Sequence, residues 1–249
     1  MLKVEHLTKV YPGGVLALED VSFEVPDGEF LAVIGLSGSG KSTLLRCINR
    51  LIEPTEGRIS WHGVDVTQAS QEEMRRIRRR IGMVFQHFNL VHRSSVLTNV
   101  LAGRLGYTTP AASLINRFPA ADIAKAHDTL DLVGIQDKAN TRADELSGGQ
   151  QQRVGIARAL MQDPEMILAD EPVASLDPVL AHSIMQYLDL IQKRGVTVLC
   201  SLHFLDLVQQ YADRAIALNE GKLMFDGPPE AIDDARFKDI YGQEAERIG

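Results

Sequence analysis

Residues 35–42 read Gly-Leu-Ser-Gly-Ser-Gly-Lys-Ser, a full G-x-x-x-x-G-K-[ST] pattern. Gly35, Gly38 and Gly40, interleaved with the small Ser37 and Ser39, let successive backbone N–H groups turn inward on a phosphate chain. A helix starting at Lys41 adds the partial positive charge of its N-terminus. Lys41 is expected to reach β- and γ-phosphates and Ser42 to ligate Mg²⁺, with Thr43 completing the phosphate-binding run. Residues 166–171 pass through four apolar positions into Asp170 and Glu171. Acids at the C-terminal end of a buried strand stand where open α/β sheets bind ligands. Asp170 is expected to hold Mg²⁺ through its water shell, and Glu171 to act as general base on an attacking water. A third segment, Leu146-Ser147-Gly148-Gly149-Gln150, leads into a stretch with apolar Val154, Ala157 and Leu160. Ser147 and the two glycines make either a plain helix cap or a second anion-seeking helix N-terminus.

These segments need a scaffold, and the pattern around them supplies one. Val21, Phe23 and Val25 alternate with polar residues, as do 57–63, which suits half-buried strands. Residues 30–34 are a continuous apolar run, which suits a strand covered on both faces, and 166–169 and 196–200 read as two more buried-type strands. After the phosphate loop, Leu44, Leu45, Ile48, Leu51 and Ile52 form a helical stripe that Pro54 and Gly57 close. Residues 70–160 read mainly as helix, 215–218 and 222–225 as a hairpin around 219–221, and Pro228-Pro229 as the opening of a short helical tail. The coarse reading is a parallel sheet with an inserted helical region.

Composition narrows the class. The chain has 249 residues, 26 basic and 33 acidic, a net charge of −7, and is 45% apolar and 24% charged. That excludes a disordered chain, and the acidic balance argues against a nucleic-acid partner. No apolar stretch approaches the ~20 residues that cross a bilayer, and the first residues carry no apolar signal segment. Cys47 and Cys200 are too few for a disulfide framework, which fits a reducing compartment. Cys200-x-x-His203 lacks a second pair and reads as a strand-core cysteine rather than half a metal site. No Asn is followed by Lys, so a guanine-reading Asn-Lys-x-Asp element is absent. The run Arg75, Arg76, Arg78, Arg79 and Arg80 reads as a solvated helix face in preference to an anion patch.

LSGGQ at 146–150, with the phosphate loop before it and the apolar-Asp-Glu strand after it, resembles the ATP-binding cassette of ABC ATPases over nearly the whole chain. The resemblance implies an α/β fold: a P-loop NTPase cassette with a RecA-like parallel-sheet core, an N-terminal antiparallel β subdomain and an inserted helical subdomain. It implies one domain over 1–249, with about 1–88 and 160–249 forming the nucleotide-binding core and β subdomain, and 89–159 the helical subdomain with the signature motif. ATP and Mg²⁺ are the implied cofactors. By the same resemblance Tyr11 stacks on adenine, and Gln86 is the lid-loop glutamine that senses Mg²⁺ and the attacking water. Ser175-Leu176-Asp177 is the loop crossing a dimer interface, and His203 is the switch histidine near the γ-phosphate. Two cassettes pack head to tail as a homodimer, so that Ser147, Gly148, Gly149 and Gln150 of one close on ATP held by the other.

Three uses of such a cassette compete. A repair or chromosome-organising ATPase would carry a long coiled coil between its motifs, but Leu146 follows Lys41 by only 105 positions without sustained heptads. Soluble translation-factor cassettes generally come in pairs, and this chain has one. An importer ATPase fits best. Residues 85–91, 95–106 and 171–178, together with Ser201-Leu202-His203, resemble the phosphonate importer ATPase subunits. That resemblance implies two copies of this chain, two permease chains and an external binding protein, with the cassette peripheral on the cytoplasmic face of the inner membrane. Residues around 87–106 are expected to meet the permease. Phosphite, hypophosphite or phosphate as cargo, or a soluble role in phosphonate metabolism, are the alternatives.

Overall fold

Apolar residues at every second position of the first strands give them one oily face. The computed structural model, which describes residues 1–108, 118–174 and 176–241, pairs β1 (Leu2–Val10) antiparallel with β2 (Leu16–Val25). A four-stranded sheet results in the order β2-β1-β4-β5, with β4 spanning Glu56–Trp61 and β5 Val64–Asp65. Leu18, Val21, Phe23 and Val25 point from β2 into the core.

The continuous apolar runs form the second sheet. It contains β3 (Phe30–Ile34), β6 (Ile81–Val84), β7 (Met166–Ala169), β8 (Thr197–Ser201), β9 (Arg214–Asn219) and β10 (Lys222–Gly227) in the order β10-β9-β3-β8-β7-β6. All neighbours are parallel except β10, which returns antiparallel on β9. Alternate residues face opposite cores. Phe30, Ala32, Ile34, Ile167, Ala169, Val198 and Cys200 join one cluster, while Leu31, Val33, Met166, Leu168 and Leu199 join the other, against the antiparallel sheet. Burial on both faces explains why these strands lack polar alternation.

Two expectations need correction. The stretch 70–160 is mainly helical among the described residues, but it also holds a buried strand, β6, that the helical reading passed over. Four apolar-type residues cannot be told from a buried helical turn by period alone. The helix after the phosphate loop, α1 (Lys41–Ile48), also stops before Leu51 and Ile52. Arg50 adopts a left-handed conformation at φ 53°, and Arg78 donates to the carbonyls of Asn49 (2.9 Å) and Arg50 (2.6 Å), which closes the chain after the last turn. Arg78 belongs to α2 (Gln71–Arg79), which starts with a Ser70–Glu73 capping box. Between β6 and β7 the described helices are α3 (Val96–Leu101), α4 (Ala120–Leu132) and α5 (Gly148–Leu160). Then come α6 (Pro178–Gln192), α7 (Leu205–Tyr211) and α8 (Asp234–Tyr241).

Phe30 is fully buried at the start of β3. Replacing it with Ala should cost about 3–5 kcal/mol of stability. Urea denaturation of Phe30→Ala reads this directly, and a loss under about 1 kcal/mol would contradict the packing described.

Candidate functional site

Strand register brings the chemistry together. Ala32 pairs with Cys200, Cys200 with Ala169, and Ala169 with Val84. Counting onward along these parallel strands, Gly35, His203, Glu171 and Gln86 emerge at the same C-terminal edge. Here a cleft of about 260 Å³ is lined by Ser37, Gly38, Gly40, Lys41, Ser42, Thr43, Gln86 and Glu171.

Gly40 is the N-cap of α1 at φ +106°, with no side chain capping the helix. A Cβ there would meet the Ala17 carbonyl at 2.4 Å. Only glycine fits, and the first-turn N–H groups are left for a ligand. Ser39 is buried and sets its hydroxyl beside Gly35 under the loop, without a hydrogen-bond partner. Lys41 is buried and its ammonium donates to the carbonyls of Gly35 and Leu36, each at 2.9 Å. Burial pulls its pKa down, against the upward pull of Glu171 and Asp170. Tyr11 stands beside the loop, its hydroxyl 3.2 Å from Thr43 Oγ1.

Asp170 is fully buried. Ser42 Oγ donates to its Oδ1 at 2.6 Å, and Arg46 Nη2 to its Oδ2 at 3.0 Å. A hydroxyl and a carboxylate oxygen side by side are hard ligands suited to Mg²⁺, which takes one or two protein oxygens and fills its shell with water and phosphate. The described residues contain no cluster of three or more His, Cys, Asp or Glu that would cage a metal outright. The donor set therefore fits Mg²⁺ delivered with phosphates.

Glu171 follows in a left-handed conformation at φ 48°. This is a sparsely populated geometry, and the two adjacent carboxylates meet different partners: Ser42, Arg46 and Ser201 for Asp170, His203 and Lys41 for Glu171. Ser201 Oγ accepts the Glu171 N–H at 2.8 Å and holds the turn. His203 Nε2 lies 2.6 Å from Glu171 Oε1, and Lys41 Nζ lies 3.9 Å from the same oxygen.

The signature segment stands apart from this cleft. Ser147 is exposed and caps α5, accepting the Gln150 N–H at 3.4 Å, while Gln150 Oε1 accepts the Ser147 N–H at 3.0 Å. Gly148 is exposed, and Gly149 is buried against α6, where a Cβ would come 2.9 Å from Leu180 Cδ1. Asp177 is exposed and caps α6 through the Leu180 N–H at 3.0 Å. Ser175 lies outside the described residues. None of residues 147–150 or Asp177 lines the phosphate-loop cleft of its own chain.

A family model described as ABC transporter matches residues 18–174. The chain belongs to the ABC transporter family. The cassette is 54% identical to the phosphonates import ATP-binding protein PhnC of Bdellovibrio bacteriovorus, covering 100% of this chain and 96% of the relative. It is 53% identical to PhnC of Nitratidesulfovibrio vulgaris, over 98% and 92%. The dimeric structure of MJ0796, a bacterial ABC transporter cassette, superposes with a TM-score of 0.82 at 34% identity, covering 92% of this chain and 99% of that one.

Three residues of the cassette's site escaped the reading of roles from sequence. Ser201 served there only as a subfamily mark, although it supports Glu171. Arg46 follows Ser42 by one helical turn, a spacing that places both on one face and was the available signal. Arg158 donates to the carbonyls of Phe88 (2.8 Å) and Asn89 (2.5 Å), joining α5 to the loop after Gln86. The arginine run is largely tied into the structure: Arg76 pairs with Glu72, Arg78 holds the end of α1, and Arg80 pairs with Glu165 over the Trp61 ring. Cys200 is a buried strand residue.

Ser201→Ala leaves the Glu171 N–H without its acceptor. It should lower stability by about 1–3 kcal/mol in thermal unfolding, with nucleotide affinity in EDTA retained. Wild-type stability in this variant would contradict the support drawn here.

Proposed function

We propose that this cassette is the ATP-hydrolysing subunit of an importer of phosphonates, acting as a homodimer on two separate permease chains with an external binding protein. In this reading about 1–88 and 160–249 make up the nucleotide-binding core and β subdomain, and 89–159 the helical subdomain with the signature motif. The observation that carries the hydrolytic reading is that Lys41, Ser42 and Glu171 line one cleft, with Asp170 bonded behind Ser42 and His203 bonded to Glu171. The cargo rests on relatives about half identical over the whole chain whose names specify phosphonate import.

Backbone N–H groups of the loop and the open end of α1 bind the phosphates, with Lys41 on the β- and γ-groups. Tyr11 supports the adenine. Ser42 and Asp170 would hold Mg²⁺, Asp170 through its water shell, with Gln86 also toward it; when bound, the ion would screen phosphate charge. The Glu171 carboxylate accepts a proton from the attacking water, and His203 Nε2–H, donating to its Oε1 at 2.6 Å, orients it. Exposed Ser147 and Gly148, with Gly149 and Gln150 behind them, close on the γ-phosphate in the partner cassette, and Asp177 lies at that interface. ATP thereby joins two copies, and hydrolysis releases them, a ligand-driven population shift.

Gln86 also borders a second cleft of about 370 Å³, with Arg46, Leu51, Ile52, Phe85, His87 and Asn89. The permease, on the cytoplasmic face of the membrane, would meet residues around 87–106, which begin at this cleft with His87 and Asn89. No described helix is long and apolar enough to cross a membrane.

Glu171→Gln should cut turnover by roughly 10²–10⁴ and accumulate an ATP-bound dimer in size-exclusion runs with ATP and Mg²⁺; a persistent monomer contradicts the sandwich. The same change in the source cell's own copy should abolish growth and uptake on phosphonate as sole phosphorus source. Loss confined to phosphite, hypophosphite or phosphate would keep the ATPase and replace the cargo.

A further inference from the structure

Asp170 is a tightly held charge. It is fully buried, and each carboxylate oxygen is engaged: Oδ1 by Ser42 Oγ at 2.6 Å and Ser201 Oγ at 3.4 Å, Oδ2 by Arg46 Nη2 at 3.0 Å. A buried carboxylate needs a counter-charge, because desolvation otherwise exceeds what hydrogen bonds to hydroxyls return. Arg46 is the cation in direct contact with it. Its side chain is still 42% exposed and borders the second cleft, so the guanidinium has an open route away from Asp170.

A divalent cation held by Ser42 and Asp170 would be a second positive charge on the same carboxylate. Two cations within a few ångströms repel, and each reduces what the other gains from one buried charge. We propose that Arg46 and the divalent cation compete for Asp170, so that Arg46 sets how strongly nucleotide binding depends on metal. This rests on Ser42 and Asp170 as metal-holding residues and is independent of the cargo. Arg46 is a positioning residue in this account: it acts through Asp170 and need not touch nucleotide.

The sign follows from the competition. With metal chelated, Arg46 neutralises Asp170 and reduces its repulsion of the incoming phosphates. With metal present, Arg46 is a rival. Removing the guanidinium should weaken metal-free binding and tighten metal-loaded binding.

The experiment measures the dissociation constant of a non-hydrolysable ATP analogue by calorimetry, in EDTA and in saturating MgCl₂, for wild type, Arg46→Met and Arg46→Lys. The readout is the ratio of the EDTA constant to the Mg²⁺ constant. In Arg46→Met the ratio should rise about tenfold or more, the scale of one hydrogen bond to a charged group. Arg46→Lys keeps the charge and should fall back toward wild type, and it serves alone if the Met variant does not fold, its shorter single-point contact still raising the ratio above wild type. A general packing defect weakens both constants equally and leaves the ratio unchanged, which overturns the proposal. A smaller ratio also overturns it, since Arg46 would then be preparing Asp170 for metal. A wild-type ratio of one removes Ser42 and Asp170 as metal-holding residues, and the proposal with them.

Discussion

Parallel pairing of β3, β8, β7 and β6 determines where every group in the cleft can be. The phosphate loop, Asp170-Glu171, His203 and Gln86 sit on four different strands, far apart in sequence, and meet because their partners are in step. A slip of one residue in any pair would reverse the faces of its side chains. The two-sided burial of these strands resists such a slip: Phe30, Ala32 and Ile34 serve one core while Leu31 and Val33 serve the other. Packing far from the chemistry therefore holds it to sub-strand precision.

Local signals were legible and long-range ones were not. Gly40, Lys41 and Ser42 could be read because loop, helix start and phosphate contacts all lie within a few residues. The strand ending in Asp170 and Glu171 was legible from its apolar run. Yet the left-handed turn at Glu171 depends on Ser201, thirty positions away. Nothing near Glu171 announces it. β6 was lost inside a helical reading because a four-residue strand carries no period of its own. The end of α1 depends on Arg78, which a stripe of apolar residues cannot show.

Helix ends divide the labour between side-chain caps and open donors. α1 has no side-chain cap and turns its free N–H groups toward the cleft. α5 is capped by Ser147 and Gln150, yet Gly148 still leaves its first turn exposed. The two ends are thus prepared differently, one as an enclosed cradle within the chain and the other as an outward-facing contact. α6 packs against α5 at Gly149, which sets the caps at Ser147 and Asp177 on neighbouring helix ends.

Arg158 reaches the loop after Gln86 through main-chain oxygens alone, those of Phe88 and Asn89, which both adopt left-handed conformations at φ 58° and 50°. Carbonyl acceptors survive any change of side chain. Positions 88 and 89 can therefore drift in evolution as docking partners change, within what their backbone angles tolerate, while the mechanical tie to the signature helix persists. Arg158 has no such freedom. Its half-buried fork supplies both donors, and a shorter or single-point cation would not reach both carbonyls at once. The joint thus depends on side-chain chemistry on one side and on main-chain oxygens alone on the other, so its acceptor side is indifferent to which side chains line the loop.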